Sequence, residues 1–272
     1  MMLGNRGRMV QWSVAALGNA LVGLGDWAQF TFRTLYWMAT RRMYRRTFLP
    51  VCFSIGYQSA SVVVLTGFFI GMVLAVQSVM QFQKLGFATW TGTVTNVSVI
   101  RELGPVLAAT MLAGRVGSAM AAELATMRVS EQIDALSCLG ANPVHYLVVP
   151  RFLACVLLIP LLTAAADMAG IVGSALLCIH VYGIEPHHYW LHSRDMVRLF
   201  DVIAGMIKPT CFGAVIALIS CHRGFRSKAG AEGVGRAATE AFVYSFVAIL
   251  VLDFFLALWL NALYERFPIL RF

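Results

Sequence analysis

Five stretches of this 272-residue chain, roughly 55–80, 94–120, 147–181, 202–222 and 241–263, are predominantly apolar. Nothing else constrains the fold as tightly. About 20 apolar residues at 1.5 Å rise are needed to cross the ~30 Å hydrocarbon core of a bilayer. Inside that core each backbone N–H and C=O must be paired within the structure, and a helix achieves this alone. The sequence therefore predicts an all-α polytopic membrane protein with about five transmembrane helices. Composition agrees, at 59% hydrophobic and 12% charged residues, where a soluble domain averages roughly 25% charged.

The formal charge of +8 is placed for a membrane rather than for nucleic acid. Seven arginines precede residue 50 (Arg6, Arg8, Arg33, Arg41, Arg42, Arg45 and Arg46), and Arg223, Arg226, Lys228 and Arg236 cluster in one loop. These groups flank apolar spans, where cations fix orientation and meet anionic headgroups. The N-terminal segment, the 115–151 region and the 223–236 loop hold fourteen cations. The other side holds six, namely Lys84, Arg194, Arg198, Lys208, Arg266 and Arg271. Positive-inside then puts the N-terminus in the cytoplasm and the C-terminus outside.

Residues 1–48 read as an N-terminal interfacial segment ahead of a transmembrane domain at 49–272. Arg6 and Arg8 precede an apolar run, but no small-residue cleavage site follows. Trp12, Trp27, Tyr36 and Trp37 suit a helix over 9–38 lying along the membrane surface, and Asp26 and Arg33 argue against a span. Cys52, Cys138, Cys155, Cys178, Cys211 and Cys221 lie in or beside apolar stretches without a CxxC and read as small buried hydrophobes. No internal repeat is visible. The third stretch, at about 50 Å as a straight helix, exceeds the core, with Pro160 marking a kink and Asp167 near mid-depth.

Three features carry chemistry. Arg101 and Glu102 sit inside the second apolar stretch, about 100° apart on a helix, so they need not pair with each other. Either neighbouring helices or snorkelling satisfies them, or they line a cavity for a charged or zwitterionic headgroup. The cost of unpaired charge in lipid favours the cavity. Gly104-Pro105 would loosen the helix there. Small residues recur every fourth position at Gly67-Gly71-Ala75, Ala113-Gly117-Ala121, Gly114-Ser118-Ala122 and Ala166-Gly170-Ser174, which lets helix backbones approach. The 123–139 segment reads as a short amphipathic helix. Leu124, Met127, Ile133 and Leu136 recur at helical spacing, and Glu123, Arg128, Glu131 and Asp134 supply charge. Gly140 suits a C-cap and Pro143 a stop. Such a helix is either a solvated loop or a handle for a soluble partner.

Weaker signals are His187, His188 and His192 with Glu185, better read as a solvated loop than as a metal site, and Asp167, either a proton or substrate site or a partner for a neighbouring hydroxyl. There is no GxxxxGK[ST] loop, GxSxG or HExxH, and no plausible nucleophile–base arrangement. Catalysis, a metal and a cofactor in this chain are not expected. A proton- or ion-coupled carrier using Asp167, Glu102 and Arg101 remains the rival reading.

The segments Arg101-Glu-Leu-Gly-Pro-Val-Leu-Ala-Ala109, Ala113-Gly-Arg-Val-Gly-Ser-Ala119, Ala122-Glu-Leu-Ala-Thr-Met-Arg-Val-Ser-Glu-Gln-Ile-Asp-Ala-Leu136 and Asn142-Pro143 closely resemble the MlaE/YrbE permease family. So do Gly67-Phe-Phe-Ile-Gly-Met-Val-Leu-Ala-Val-Gln77, Pro150-Arg-Phe152 and Gly233-Val-Gly-Arg-Ala-Ala-Thr239. The resemblance implies the permease subunit of an ABC-type transporter moving phospholipids between the bacterial inner membrane and the outer envelope. It implies a second permease copy (a homodimer), ABC ATPase subunits that carry the ATP and Mg, an MCE-domain hexamer and, in some systems, a STAS-domain protein. It further implies a coupling helix at Glu123, Met127, Arg128, Glu131, Asp134 and Leu136. A lipid cavity would carry Arg101 and Glu102, with walls from Gly67, Gly71, Leu74 and Gln77. A purely structural anchor for an MCE ring is the alternative within this frame. The external histidines and the stretch from Glu265 to Phe272 depart from the family pattern.

Overall fold

The computed structural model describes residues 3–41, 45–84, 86 and 90–266, and among them every regular element is helical. Five helical stretches are long and apolar enough to cross a membrane: Arg46–Lys84, Thr91–Val129, Val144–His180, Phe200–Phe225 and Ala231–Arg266. The protein is thus a multi-pass, all-α membrane protein. Outward-facing Leu65, Phe69, Leu157, Leu161, Phe254 and Trp259 are exposed, as side chains solvated by lipid or by another apolar surface must be.

The N-terminal helix α1 (Leu3–Thr40) is not among the stretches able to span. It is tied to the end of the fourth span, where Asp26 lies 2.9 Å from His222 and also pairs with Arg226. The hydrogen bond from His222, reinforced by the Arg226 charge, holds the Asp26 carboxyl below the ordinary aspartate range. Phe30 packs against His222 and Phe225, and Trp37 against His145. The side chains of Arg6, Arg8, Trp12, Arg45 and His192, and residues 42–44 and 267–272, lie outside the described residues.

The first span starts earlier than its apolar pattern suggests. Helix α2 (Arg45–Ile55) contains Pro50 and leads through Gly56, whose N–H bonds Cys52 O at 2.8 Å, into α3 (Tyr57–Lys84). The second span is one rod with two π-helical turns: α4 (Thr91–Ser98), a wide turn at Val99–Leu103, α5 (Gly104–Leu112), a second at Ala113–Gly117, and α6 (Ser118–Val129). Pro105 has no N–H for the carbonyl four residues back, and the Gly104 N–H reaches instead to Val99 O, closing the first wide turn.

The single helix expected over 123–139 is not one helix. The second span runs on through Val129, and Glu131 takes a left-handed conformation (φ 59°) before α7 (Gln132–Cys138) begins. The Arg128–Asp134 ion pair at 2.6 Å clamps α7 to the end of α6 across this turn. Period alone cannot see the break, because Met127 and Leu136 turn inward onto one cluster with Leu124, Ile133 and Leu147 on both sides of it. The cap is as read. Gly140 (φ 77°) follows α7, with Gly140 N to Ser137 O at 3.0 Å and Ala141 N to Leu136 O at 3.1 Å, the Schellman pattern. The Asn142 side chain then accepts from the N–H of Val144 and His145 to start the third span.

That span, a π-helical turn at Val144–Val148 followed by α8 (Val149–His180), forms the axis of the bundle and carries Pro160 inside it. Helix α3 lies along it through the small-residue tracts. A side chain at Gly67 would stand 2.3 Å from Ala166 O, and one at Gly71 2.0 Å from Gly170 O. Two of the tracts thus meet each other, and Gly67 and Gly71 serve helix contact instead of the open cavity wall expected of them. The outer helix α9 (Pro186–Met196) is pinned by a buried polar knot. Within it Tyr189 Oη lies 2.8 Å from Ser174 Oγ, and Asn96 donates to Ser193 Oγ at 3.1 Å. Helices α10 (Leu199–Phe225) and α11 (Ala231–Arg266) complete the five spans.

Gly71→Val should abolish this backbone contact at a cost of about 1–3 kcal/mol or more. We expect a lower Tm and reduced folded yield on size-exclusion chromatography in detergent. Gly25→Ala, with open space around its Cβ, should leave both unchanged.

Candidate functional site

Charge inside a span is costly unless paired, and this chain pairs it across three spans. Glu102, on the π-helical turn of the second span, lies 2.5 Å from Lys208 Nζ on α10, and Lys208 Nζ lies 3.0 Å from Asp253 Oδ1 on α11. Arg101 points the other way. Its guanidinium is 3.7 Å from Asp201 on α10 and donates to Asn261 on α11. The adjacent pair therefore engages separate partners, as its angular offset requires. Counted at 1.5 Å per residue, Glu102, Lys208 and Asp253 stand about 12–20 Å from the nearer ends of their spans, two or more helical turns inside stretches apolar enough to cross a bilayer.

Exposure divides the network. Lys208 is closed over, with 1% of its side chain accessible, whereas Glu102 and Arg101 keep 41% and 30% open. The bundle buries a cation at the triad's centre and leaves a carboxylate and a guanidinium partly open, the guanidinium lying toward the start of α10 beside Asp201. Side by side, such groups can accept from an ammonium and donate to a phosphate. Lys208 was counted among the external cations on sequence. The structure corrects this, because it lies within α10 between two carboxylates.

Sequence reasoning singled out Arg101 and Glu102 but missed Lys208, Asp201, Asp253 and Asn261. The signal was present. Lys208 and Asp253 are ionisable residues inside apolar runs, and such residues merit the same attention as the Arg-Glu pair. Gln77 is exposed and Leu74 half-buried on α3. Asp167 stays apart from the network. It is buried against Gly104, where a Cβ would fall 1.7 Å from Asp167 Oδ1, so the glycine makes room for that carboxyl.

The cation-rich segment at the far end of the second span is arranged differently from the expected helix. Glu123 pairs with buried Arg151 at 2.8 Å, and Arg128 with Asp134. Met127 and Leu136 pack inward. What faces outward is the turn itself, with Glu131 exposed and Leu139 82% exposed at the tip of the loop. Leu139 was not among the sequence candidates. At the opposite end, His188 lies 3.4 Å from Glu185 and stacks edge-on with His187. No group of three metal-binding side chains occurs among the described residues.

A five-span helical bundle with ionisable side chains paired across its interior defines a membrane permease, and residues 48–259 match the Permease MlaE family, to which this chain belongs. Its relatives carry the same class of name. It is 40% identical over 231 residues, 85% of this chain and 89% of the other, to a probable ABC transporter permease protein of Rickettsia typhi. It is 42% identical over 219 residues, 80% and 83% of the two chains, to one of Synechocystis. Protein TRIGALACTOSYLDIACYLGLYCEROL 1, chloroplastic, of Arabidopsis thaliana is 41% identical over 223 residues, 82% of this chain and 61% of that protein.

Lys208→Met leaves Glu102 and Asp253 facing each other's charge without a cation, and breaking a buried pair costs about 3–5 kcal/mol. We expect a clear loss of thermal stability in detergent micelles, with most of it restored when Glu102→Gln and Asp253→Asn are added. Absence of any recovery in the triple variant would show that Lys208 acts through something other than these two carboxylates.

Proposed function

We propose that this chain is the permease subunit of an ATP-driven lipid transporter of the bacterial inner membrane, with phospholipids or related lipids as substrate. The observation that carries this is the half-open Arg101–Glu102 edge within the spans, backed by a buried Lys208. A lipid needs a polar contact for its head within a surface that is otherwise apolar for its tails. The exposed apolar faces of α3 and α11 supply the latter. Two copies of the chain, facing across this edge, would enclose such a chamber. Family membership and an Arabidopsis relative named for a galactolipid support a lipid as cargo.

ATP hydrolysis is assigned to a separate ABC ATPase. The relatives' names support that partnership, and the loop at 130–139 offers the contact, with Glu131 and Leu139 outward and the Arg128–Asp134 clamp behind them. Because that turn joins the second span without a flexible linker, a push on it is transmitted along the rod that carries Glu102. Its cationic surroundings support a cytoplasmic position by the positive-inside rule, with the N-terminus on the same side and the C-terminus in the periplasm. An MCE-domain hexamer on the outer face, and a STAS-domain protein beside the ATPase, complete the assembly that the resemblance implies.

In proteoliposomes holding permease, ATPase and MCE partner, Glu102→Gln or Arg101→Ala should reduce ATP-dependent transfer of labelled phospholipid at least tenfold. The ATPase should still co-purify. Loss of co-purification would assign the pair to assembly instead. Glu131→Lys keeps a side chain of similar backbone preference but reverses the charge, and should weaken co-purification of the ATPase several-fold. Unchanged recovery and unchanged ATP hydrolysis would remove this turn from the coupling contact.

A further inference from the structure

A second lipid-shaped feature, sharing no lining residue with the ionic network, lies on the flank where α1 meets the fourth and fifth spans. A groove of about 840 Å³ runs between them, walled by Leu24, Val215, Ile219, Val247, Val251 and Phe255. Gly23 of α1 faces it, and Gly23 has nothing within 4 Å of where a side chain would begin. Its walls extend from Val215 to Arg223 on α10 and from Tyr244 to Phe255 on α11, about 12 and 16 Å at 1.5 Å per residue. That is the depth of one leaflet, half of the ~30 Å core.

The groove does not end in solvent. Arg223, stacked on Tyr244 with its guanidinium carbon 4.1 Å from the ring centre, lines both this groove and an adjoining basic pocket with Arg226, Lys228 and Arg236. These four cations meet Glu240 and Asp26, and Glu232 faces Arg236 from one helical turn away. One positive charge is left in excess, and the Lys228 ammonium has no carboxylate partner among the described residues. An apolar slot one leaflet deep, opening into a net-positive cup at the membrane surface, has the two halves of an anionic phospholipid in the right order. A zwitterionic lipid would satisfy the slot but not the cup, and a soluble anion the cup but not the slot.

We propose that the groove between α1, α10 and α11 holds one acyl chain of a resident anionic phospholipid, whose headgroup sits at Arg223, Arg226 and Lys228. This site is independent of the transport edge at Arg101 and Glu102. A lipid held there would brace α1 against the fourth span beside the Asp26 ion pairs.

Native mass spectrometry of the purified full-length chain, titrated with phosphatidylglycerol or phosphatidylcholine in mixed micelles, tests the assignment. Phosphatidylglycerol should be retained at least fivefold more strongly than phosphatidylcholine. Ala248→Trp, which fills the slot, should remove that retained lipid. Arg226→Gln and Lys228→Gln, both in the surface loop, should each weaken it about fivefold, the roughly 1 kcal/mol of one cation near an anionic headgroup. His187→Ala, exposed at the opposite end of the bundle, should leave it unchanged. Equal retention of the two lipids, or unaltered retention in Ala248→Trp, would overturn the proposal. Displacement by millimolar inorganic phosphate would likewise overturn it, since that would make the cup a site for soluble anions.

Discussion

One ammonium group organises this protein. Lys208 lies among apolar helices with almost none of its surface accessible, and it is tolerated there because Glu102 and Asp253 reach it from the second and fifth spans. In hydrocarbon neither carboxylate nor ammonium can be left alone, so the three helices are held in one register by charge. Hydrophobic attraction does not provide this in a bilayer, where lipid tails are as apolar as leucine. The same requirement keeps the Arg101 guanidinium near Asp201 and Asn261. Because the triad's centre is sealed and its edge is not, the network both fixes the bundle and leaves charge accessible within the spans.

The rest of the architecture brings those side chains to that place. Glycines at 67, 71, 170 and 173 let α3 and α8 touch backbone to backbone, and Gly205 lets α10 approach Ile100, next to the charged pair. The wide turn at Val99–Leu103 is closed by the Gly104 N–H to Val99 O where Pro105 can donate nothing, and Gly104 leaves the space that Asp167 occupies. A π-helical turn inserted in a long helix re-aims the residues on it, and here those residues are Arg101 and Glu102. Continuity of the same rod down to Val129, and the clamp between Arg128 and Asp134, connect the paired charges to the exposed turn at Glu131.

Much of this was legible in the sequence. Apolar length specified the five spans, because the bilayer imposes a single length scale. The Arg-Glu pair announced itself by its cost. Spacing of small residues identified Gly67, Gly71, Ala166 and Gly170 as contact positions, and the structure places those two tracts against each other. What could not be read was which partner each charge would choose, since pairing between helices is a tertiary fact. Lys208 was counted with the external cations although the expected span, 202–222, contains it, because a charge tally by side of the membrane does not ask whether a cation lies inside a helix. The break at Glu131 was hidden because a non-glycine residue in a left-handed conformation gives no compositional warning, while the apolar period continues on both sides. The resemblance implied a coupling helix there, and the element it named is a span end, a turn and α7, Gln132–Cys138.

The central claim is that the open edge of the network touches lipid as cargo. Its most direct measurement places a photo-crosslinking benzoylphenylalanine at position 102 in membranes containing radiolabelled phospholipid. Matched probes would stand at Leu157, on the outward face of the third span, and at Ala109, which is buried. The account predicts label at 102 that falls when the assembled ATPase is given ATP, steady label at 157 and none at 109. Label at 157 with none at 102 under any condition would contradict it.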